Sequence, residues 1–242
     1  MTHAHPIDAV GNGISKPNAG WSFSGDTPTH FGAHVRTSVP FYDQGHDLVC
    51  GLSDFFVKDQ SVCYDLGASI GDLTAKLAAH HIQKPETQWI GIDSEIAMVQ
   101  AATAAHHAPN LSFVHDDIGL ATYEKSDFIV AYYTIQFVPP YRRQDVFNQL
   151  YDALNWGGAL VLFEKVRGPD ARFQDIATAL YTDFKLGMGH SPDEIVNKSR
   201  SLKGVLEPFS TQGNIDLLKR AGFVDIMSVM KFLCFEGFLA IK

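Results

Sequence analysis

The chain has 242 residues, and its 27 Asp and Glu against 19 Lys and Arg give a net charge of −8. Hydrophobic residues make up 45% and charged residues 19%, which excludes a disordered or fibrous protein and indicates a soluble domain with a substantial core. The acidic balance argues against direct nucleic-acid binding, and no apolar run is long enough for a membrane span or a signal peptide. We therefore expect a cytoplasmic protein without membrane association.

Composition divides the chain into an arm and one domain. Residues 1–27 are rich in Gly, Pro, Ser and Asn and predict a flexible N-terminal arm. Residues 28–242 are predicted to form a single domain, in which 28–56 and 169–207 are helical lid elements. Three distant cysteines without a CxxC spacing argue against disulfides and zinc. The histidines lack an HExxH pattern, so we expect them to be solvated or to cap helices rather than to bind a metal.

From residue 61 onward, strand-like and helix-like segments alternate. Strands are predicted at 61–66, 89–92, 111–114, 127–133 and, after a Gly157-Gly158 turn, 159–163. Helices are predicted at 70–81, 96–106 and after Pro139-Pro140. Two strand-like runs around Glu236-Gly237 predict a C-terminal hairpin that adds an antiparallel strand. The pattern predicts an α/β fold, a doubly wound and mostly parallel sheet with helices on both faces.

The first predicted strand runs into a glycine-containing turn, Asp65-Leu66-Gly67-Ala68-Ser69-Ile70-Gly71. Gly67 and Gly71 would let the backbone approach a ligand closely, and the positive end of the next helix would point toward it. The GxxxG spacing differs from GxGxxG and therefore disfavours a pyrophosphate site. Two glycines after a strand are, by themselves, more typical of a simple turn.

Acidic residues follow the next two predicted strands. Asp93 ends the second strand, where its carboxylate can accept hydrogen bonds from both hydroxyls of a ribose. Asp117 follows the third strand, where it can meet an adenine amino group. Because ligands of parallel sheets bind at the carboxyl ends of the strands, the glycine turn and the two acids together predict a nucleoside site.

These residues resemble motifs of the class I S-adenosylmethionine (SAM)-dependent methyltransferases, and further segments resemble the carboxy-SAM synthase family. Those segments are RTSVPFY at 36–42, YDLGASIG at 64–71, TIQF at 134–137, WGGALVLFEK at 156–165, DFK at 183–185 and AGF at 221–223. The resemblance covers about residues 21–242 and implies a seven-stranded Rossmann-like sheet under a helical lid. It implies SAM as substrate or cosubstrate, and we also expect a homodimer.

The resemblance and the glycine turn together assign a set of residues to cofactor binding. The set comprises Tyr42, Gly67, Ser69, Gly71, Asp93, Met98, Asp117, Ile118 and Tyr132. Within it, the resemblance implies that Tyr42 closes the methionine end of the ligand.

The sequence departs from the carboxy-SAM synthase pattern at residues that serve its chemistry. The family carries an arginine in a Gln-Lys-Arg-Ser segment that grips the extra carboxylate of carboxy-SAM, and an ungapped alignment places Ser199 there. Arg200 is one residue away, which on a helix turns its side chain by about 100°. Tyr132-Tyr133 and Tyr181 replace an Asn-Phe pair and a histidine of the family. With the arginine missing, carboxymethyl chemistry is disfavoured.

Aromatic residues remain near the expected sulfonium, and of these Tyr132, Phe137 and Tyr181 are predicted to be catalytic. Aromatic faces can hold a sulfonium through cation–π attraction of about 0.5–2 kcal/mol, although aromatic residues at such spacing are also typical of a core. Glu164, at the end of the fifth strand, is either a base or ammonium acceptor, or a partner of a neighbouring Lys or Arg. The pair Arg142-Arg143 is more typical of a solvated helix face than of acceptor docking.

Three function hypotheses follow, of which the first is favoured. It is an enzyme that cyclises SAM itself: the α-amine attacks the γ-carbon, methylthioadenosine leaves and azetidine-2-carboxylate forms, as in SAM-cyclising synthases that resemble this fold. The second is methyl transfer from SAM to a small-molecule acceptor. The third is a silent SAM-binding module or a partner of an RNA-modifying enzyme. Carboxy-SAM synthesis for tRNA wobble-uridine modification is the least favoured.

Overall fold

The computed structural model describes residues 27–242, so the predicted arm lies outside the described residues except for Thr27, which begins the first helix. Eight α-helices lie in the described part of the chain. They are α1 (Thr27–Ser38), α2 (Tyr42–Ser53), α3 (Asp72–His80), α4 (Ile96–Ala105), α5 (Arg143–Ala153), α6 (Ala171–Gly187), α7 (Pro192–Ser201) and α8 (Thr211–Ala221). None of them combines the length and apolarity that crossing a bilayer requires.

Seven strands form one sheet in the order β3-β2-β1-β4-β5-β7-β6. They are β1 (Val62–Leu66), β2 (Gln88–Asp93), β3 (Leu111–His115), β4 (Ser126–Tyr132), β5 (Leu154–Lys165), β6 (Asp225–Phe232) and β7 (Phe235–Ile241). The pairs among β1 to β5 are parallel, whereas β7 runs antiparallel to both β5 and β6. This confirms the predicted doubly wound, mostly parallel sheet with one antiparallel C-terminal strand.

Two predicted turns lie elsewhere. Gly157-Gly158 does not precede the fifth strand but lies inside it, and the pairing of β4 with β5 shifts register between Ser126 and Phe128, as at a bulge. The C-terminal hairpin turns at 233–234, so Gly237 is inside β7. A Cβ on Gly237 would lie 2.6 Å from the ring of Phe163, so its glycine serves close packing rather than a turn.

The sheet separates two hydrophobic cores, because successive side chains of a strand point to opposite faces. One core, under α5 and α8, contains Phe147, Leu150, Leu217, Leu218, Ile129, Ala131, Leu160 and Leu162. The other, under α2 and α3, contains Val49, Leu73, Leu77, Phe128, Val130, Tyr132, Val161 and Phe163. The alternation along β4 therefore directs Tyr132 toward the side that α2 covers.

Two pairs of helices, α1 with α2 and α6 with α7, occupy the segments for which lid elements are predicted. Segment 169–207 holds α6 and α7 and no strand, as predicted. The side chain of Asp170 caps α6, and Ser191 with Glu194 forms a reciprocal capping box at the start of α7. Ser38 joins the pairs: its carbonyl accepts the Tyr181 hydroxyl at 2.7 Å and its hydroxyl accepts from Lys198 Nζ at 3.1 Å. The lid is thereby fastened over the ends of the strands.

Candidate functional site

A cavity of about 360 Å³ lies at the carboxyl ends of the parallel strands. The tips of four parallel strands contribute to its wall: Asp65 and Gly67 at β1, Asp93 at β2, Tyr132 at β4 and Lys165 at β5. Residues of α1, α2 and α7 line the opposite wall. This is the position that the parallel-sheet argument predicts for a ligand.

All but one of the predicted site residues line this cavity. Those that do are Tyr42, Gly67, Ser69, Asp93, Met98, Asp117, Ile118, Tyr132, Phe137 and Tyr181. Gly71 does not: it precedes α3 with φ of 80°, and a Cβ there would lie 2.5 Å from the ring of Phe113. Its glycine is needed for the backbone conformation and for packing of the turn.

The turn after β1 is shaped by positive φ angles and close packing. Gly67 has φ of 71°, and a Cβ on it would lie 2.4 Å from the side chain of Thr134. Ser69 has φ of 52°, a conformation that is uncommon outside glycine, and its backbone N–H donates to Asp93 Oδ2 at 2.8 Å. Its hydroxyl lies 3.5 Å from the sulfur of the buried Met98. The turn is thus held in one shape before any ligand binds.

Asp93 and Asp117 are both fixed by backbone amides. Asp93 accepts from the N–H groups of Ser69 and Glu95 at 2.8 and 2.9 Å, and burial raises its pKa although these two hydrogen bonds oppose the rise. Asp117 accepts from the Gly119 N–H at 2.8 Å and from Arg142 Nη1 at 2.9 Å. Burial favours a higher pKa for Asp117, but the Arg142 and Gly119 hydrogen bonds outweigh it and hold the pKa below its ordinary value.

The prediction of a solvated Arg142-Arg143 face is therefore wrong. Arg142 pairs with Asp117 at the rim of the cavity, and Arg143 is fully buried. The Arg143 guanidinium donates to the carbonyls of Val138 and Gln136 at 2.8 and 3.0 Å, and fixes the segment after β4. The two prolines before the pair turn the chain so that only Arg142 remains at the surface.

At the other end of the cavity, aromatic rings form a cage. Tyr132 contacts Tyr42, His46 and Tyr133 with ring centroids 5.3, 4.8 and 4.8 Å away. Phe235 continues the cage, since it lies 5.8 Å from Tyr133 and 5.2 Å from Tyr181. Phe137 also lines the cavity. The cage therefore consists of Tyr42, His46, Tyr132, Tyr133, Tyr181 and Phe235.

The hydroxyls of the cage are used in different ways. Tyr132 donates to the carbonyl of Tyr42 at 2.7 Å, just as Tyr181 donates to Ser38, so both hydroxyls fasten the lid. The buried hydroxyl of Tyr133 has no hydrogen-bond partner within residues 27–242, and Tyr133 has a strained φ of 61°. Burial raises the pKa of all three phenols, which are therefore neutral donors at physiological pH.

The cavity also contains cations that the motif comparison missed. Lys165 and Lys198 line it, and the ammonium of the buried Lys185 lies 4.6 Å from the centroid of the Tyr181 ring. In α7 it is Lys198 that borders the cavity, while Ser199 and Arg200 are exposed and outside it. Neither Ser199 nor Arg200 borders the cavity, so α7 offers no counterpart of the family's arginine there, whereas lysines supply positive charge at this end.

Two further cavity residues were not singled out from the sequence. Asp65 is buried, accepts from the Thr74 hydroxyl at 2.7 Å, and has a pKa that burial raises to about 7. His46 is buried, and burial lowers its pKa to about 4, so the expectation of a solvated histidine is wrong here. Its Nε2 has no hydrogen-bond partner in the described chain. A buried polar atom of this kind at a cavity wall can form a hydrogen bond with a ligand.

Glu164 lies behind the cavity wall rather than on it. It is fully buried and is not among the lining residues, and the backbone N–H groups of Gln136 and Ile135 lie near its carboxylate. Burial raises its pKa to about 8, against the attraction of the Arg143 guanidinium, so the carboxyl is mostly protonated at neutral pH. Of the two roles considered for Glu164, its absence from the cavity lining disfavours a base or ammonium acceptor, and the attraction of Arg143 favours a partner of a neighbouring arginine.

A possible metal-ligand cluster, Asp54 with His80 and His81, lies away from the cavity, with its ligand atoms within 4.8 Å of one another. Both ring nitrogens of His81 are already engaged, Nδ1 with the Lys84 ammonium at 3.2 Å and Nε2 with the Ser53 hydroxyl at 2.7 Å. A lysine cation beside the ring and an occupied Nε2 disfavour a metal ion at this place.

Comparisons with known proteins agree with this geometry. A family model described as a methyltransferase domain matches residues 63–158. A carboxy-S-adenosyl-L-methionine synthase from Staphylococcus epidermidis is 34% identical over 223 residues, which cover 92% of this chain and 97% of the relative. Its counterpart from Campylobacter jejuni is 33% identical over 230 residues, covering 93% and 96%. The chain belongs to the carboxy-SAM synthase family.

Solved structures show the same fold at lower identity. Human N-acetylserotonin methyltransferase in complex with SAM has a TM-score of 0.56 at 14% identity, over 95% of this chain and 63% of that one. A SAM-dependent methyltransferase from Methanosarcina mazei has a TM-score of 0.56 at 15% identity, over 79% and 96%. Membership of the carboxy-SAM synthase family confirms the predicted SAM-dependent enzyme of methyltransferase fold.

Proposed function

We propose that this member of the carboxy-SAM synthase family cyclises SAM to azetidine-2-carboxylate and releases methylthioadenosine. The observation that carries the proposal is the aromatic cage at the end of a small, lidded cavity. At about 360 Å³ the cavity is near the lower limit of the roughly 300–1,000 Å³ of ligand pockets, which favours one nucleoside-sized molecule over two substrates. An enzyme that needs only SAM fits such a cavity.

The strand tips supply the groups that a bound SAM needs at its nucleoside end. We place the ribose hydroxyls on Asp93 and the adenine beside Asp117 and Ile118, with the ligand backbone over Gly67. Asp93 and Asp117 are already held by backbone amides, so binding orders little of the protein further. The sulfonium then lies toward Tyr42 and Tyr132, whose ring faces stabilise a cation.

The reaction itself needs a folded methionine chain, a neutral amine and no water. The nitrogen lone pair forms the new bond to the γ-carbon, while the γ-carbon–sulfur bond breaks and its electron pair passes to sulfur. The sulfonium becomes the neutral thioether methylthioadenosine, and one ammonium proton goes to a base. A closed cage that restricts the chain to the attacking conformation lowers the entropic part of the barrier and excludes hydrolysis.

We assign Asp65 as the base that accepts this ammonium proton. It lines the cavity next to Gly67 at the tip of β1, and its pKa of about 7 allows it to accept a proton near neutral pH. The phenols of the cage cannot serve, because burial raises their pKa values. The Thr74 hydroxyl, which donates to Asp65 Oδ2, holds the carboxyl in place beside the cavity.

Incubation of the purified protein with SAM alone tests the proposal. We expect methylthioadenosine and azetidine-2-carboxylate in equal amounts. Homoserine lactone, the product of spontaneous attack by the carboxylate, has the same mass, so an amine-selective derivatisation must show a secondary rather than a primary amine. An Asp65→Asn variant, which keeps the shape of the side chain, should lose the product but retain binding of methylthioadenosine.

Carboxy-SAM synthesis is the second candidate, because a specific observation favours it. The lysines at the far end of the cavity can balance a carboxylate, and the named relatives are carboxy-SAM synthases. If carboxy-SAM forms, and forms only when prephenate is supplied together with SAM, the activity is carboxy-SAM synthesis rather than cyclisation. S-adenosylhomocysteine formed only with an added acceptor would indicate methyl transfer instead, and absence of turnover would leave a binding module.

A further inference from the structure

Tyr132 at the tip of β4 reaches across to α2, where a glycine makes room for its hydroxyl. Gly45 is buried inside α2, and a Cβ added to it would overlap the Tyr132 hydroxyl oxygen and lie 3.0 Å from the ring carbon Cζ. A glycine in the interior of a helix lowers stability relative to alanine. The close approach of the Tyr132 ring is the physical reason for a glycine at this position.

The Tyr132 ring is held in one position from both sides. Its hydroxyl donates to the carbonyl of Tyr42 at 2.7 Å. On the side of α2 the ring centroids of Tyr42 and His46 lie 5.3 and 4.8 Å away, and on the side of the sheet that of Phe163 lies 4.8 Å away. Rings at such distances prefer a few fixed arrangements. The Tyr132 ring therefore cannot move aside for a larger ligand without disturbing contacts on both sides.

The position of this ring fixes the size of the cavity at its aromatic end. Tyr132 lines the cavity, whereas Gly45 lies behind the ring and is not among the lining residues. A shorter side chain at position 132 would leave the space between β4 and α2 open and continuous with the cavity. Because protein interiors are close-packed, a wall that is supported from behind does not accommodate an additional methylene without strain.

We propose that Gly45 and Tyr132 form a pair that sets the size limit for the alkyl group on the ligand's positive centre and restricts the site to an S-methyl sulfonium. The inference rests on the proposed function in one respect, the placement of the sulfonium beside Tyr132. Tyr132 is the wall that the alkyl group meets, and Gly45 determines the specificity indirectly, because only a residue without a Cβ admits the ring. Gly45 lies outside the segments that carry the family resemblance.

Calorimetric binding of two stable SAM analogues to the full chain measures this limit. In both analogues a protonated tertiary amine replaces the sulfonium, so neither releases a thioether; one carries an N-methyl group and the other an N-ethyl group. We expect the unmodified chain to bind the N-ethyl analogue about 10- to 100-fold more weakly, since one additional methylene overpacks a supported wall. Tyr132→Leu removes the outer half of the ring and should reduce the difference to about threefold or less.

Tyr132→Phe is the matched control, because it breaks the hydrogen bond to the Tyr42 carbonyl but keeps the ring, and it should discriminate between the analogues as the unmodified chain does. The size limit is refuted if the unmodified chain binds both analogues equally or if Tyr132→Leu retains the full difference. Loss of the difference in Tyr132→Phe would assign it to the hydrogen bond instead of the ring. Because the analogues are not cyclised, these results are independent of whether the protein forms azetidine-2-carboxylate.

Melting temperatures of the ligand-free protein test the pairing itself. Gly45→Ala should lower the melting temperature of the unmodified chain, because its Cβ displaces the Tyr132 ring, but should raise that of Tyr132→Leu, where the higher helix propensity of alanine remains without the clash. Gly51→Ala in the same helix is the matched control, since a Cβ there would lie in open space. It should raise the melting temperature by about 2–4 °C in both backgrounds. A fall for Gly45→Ala in both backgrounds would overturn the pairing.

Discussion

The two ends of the cavity are built in different ways. At the nucleoside end, Gly67, Asp93 and Asp117 follow three strands that are consecutive along the chain and adjacent in the sheet. At the cage end, Tyr132, Tyr181 and the three lysines come from β4, α6, β5 and α7. The first end is a local property of strand tips, whereas the second exists only when the lid helices pack on the sheet.

This difference has a consequence for chemistry within one family. The nucleoside end uses backbone amides to orient its carboxylates, so changes of neighbouring side chains leave it intact. The cage end is built almost entirely from side chains. Replacement of a few of them therefore changes the reaction that the bound ligand undergoes. We infer that a family can keep SAM at one end of the cavity and change the reaction at the other.

The largest effect is expected at the nucleoside end, from Asp93→Ala. Loss of two hydrogen bonds between a carboxylate and the ribose should weaken binding of both methylthioadenosine and S-adenosylhomocysteine about 100-fold. The rate constant at saturating SAM should change less than about threefold, since a ribose contact is the same in the ground state and the transition state. Calorimetry and product formation measure the two quantities.

Asp152→Ala is the control for Asp93→Ala, because Asp152 is exposed on α5 and does not line the cavity. It should leave both affinities within about threefold of the unmodified chain. A large loss of the rate constant in Asp93→Ala, with normal affinity, would contradict the division of the cavity into a binding end and a reacting end.

Adjacent tyrosines sharpen the comparison at the cage end. Tyr133→Phe removes a hydroxyl that has no partner in the described chain, so we expect an unchanged melting temperature and a rate constant about tenfold lower if that hydroxyl meets the ligand. Tyr132→Phe breaks the hydrogen bond to the Tyr42 carbonyl, and we expect the melting temperature to fall by about 2–4 °C. Identical effects of the two substitutions would show that the hydroxyls do not have separate roles.

The pH dependence of stability tests the buried carboxyl behind the cage. The pKa of Glu164 rises from 4.5 in the ordinary state to about 8 in the folded protein. Between these values the folded chain holds a proton that the unfolded chain releases, so this group makes stability fall as pH rises. The melting temperature of Glu164→Gln should therefore decline less between pH 5 and 8 than that of the unmodified chain, by a few degrees. The exposed Glu124→Gln should follow the unmodified chain.

The smallest effect is expected from Arg142→Ala at the rim. Its ion pair with Asp117 is partly exposed, and such pairs contribute about 0–1 kcal/mol. We expect methylthioadenosine to bind no more than about fivefold more weakly at low salt, with the difference disappearing as ionic strength rises. A larger loss that salt does not reduce would assign Arg142 to direct ligand contact.

Much of the fold and of the nucleoside end could be predicted, and the errors have physical causes. The strands were recognisable because strands buried on both faces are short apolar runs, and Asp93 stands directly at the end of one. Gly157-Gly158 and Glu236-Gly237 suggested turns because glycine is common there, but in this chain the glycines accommodate a register shift and the ring of Phe163. Gly71 matched the motif, yet a glycine is required there because the Phe113 ring packs against it, not because a ligand approaches it.

The cage end was predictable only in part. Tyr132 and Tyr181 were identified from aromatic character, but the Lys165–Lys185–Lys198 cluster was not. Nor was the Tyr133 hydroxyl, which has no hydrogen-bond partner within residues 27–242. Lys165 and Lys185 stood inside the FEK and DFK segments of the resemblance, which was the one signal that could have found them. Their convergence on Tyr181 could not be predicted from their spacing in the sequence. Lys185 lies 20 residues after Lys165, and Lys198 lies 33 residues after it.

The amino-acid sequence by itself determined the alternation of strands and helices, the glycine turn and the acids at the strand tips, because each of these depends on neighbours within a few residues. Only the tertiary structure decided which side chains of the lid meet the sheet, and therefore which cations and rings share one cavity. Packing of α6 and α7 against α1 brings together groups that local propensity does not relate, and burial there changes their protonation.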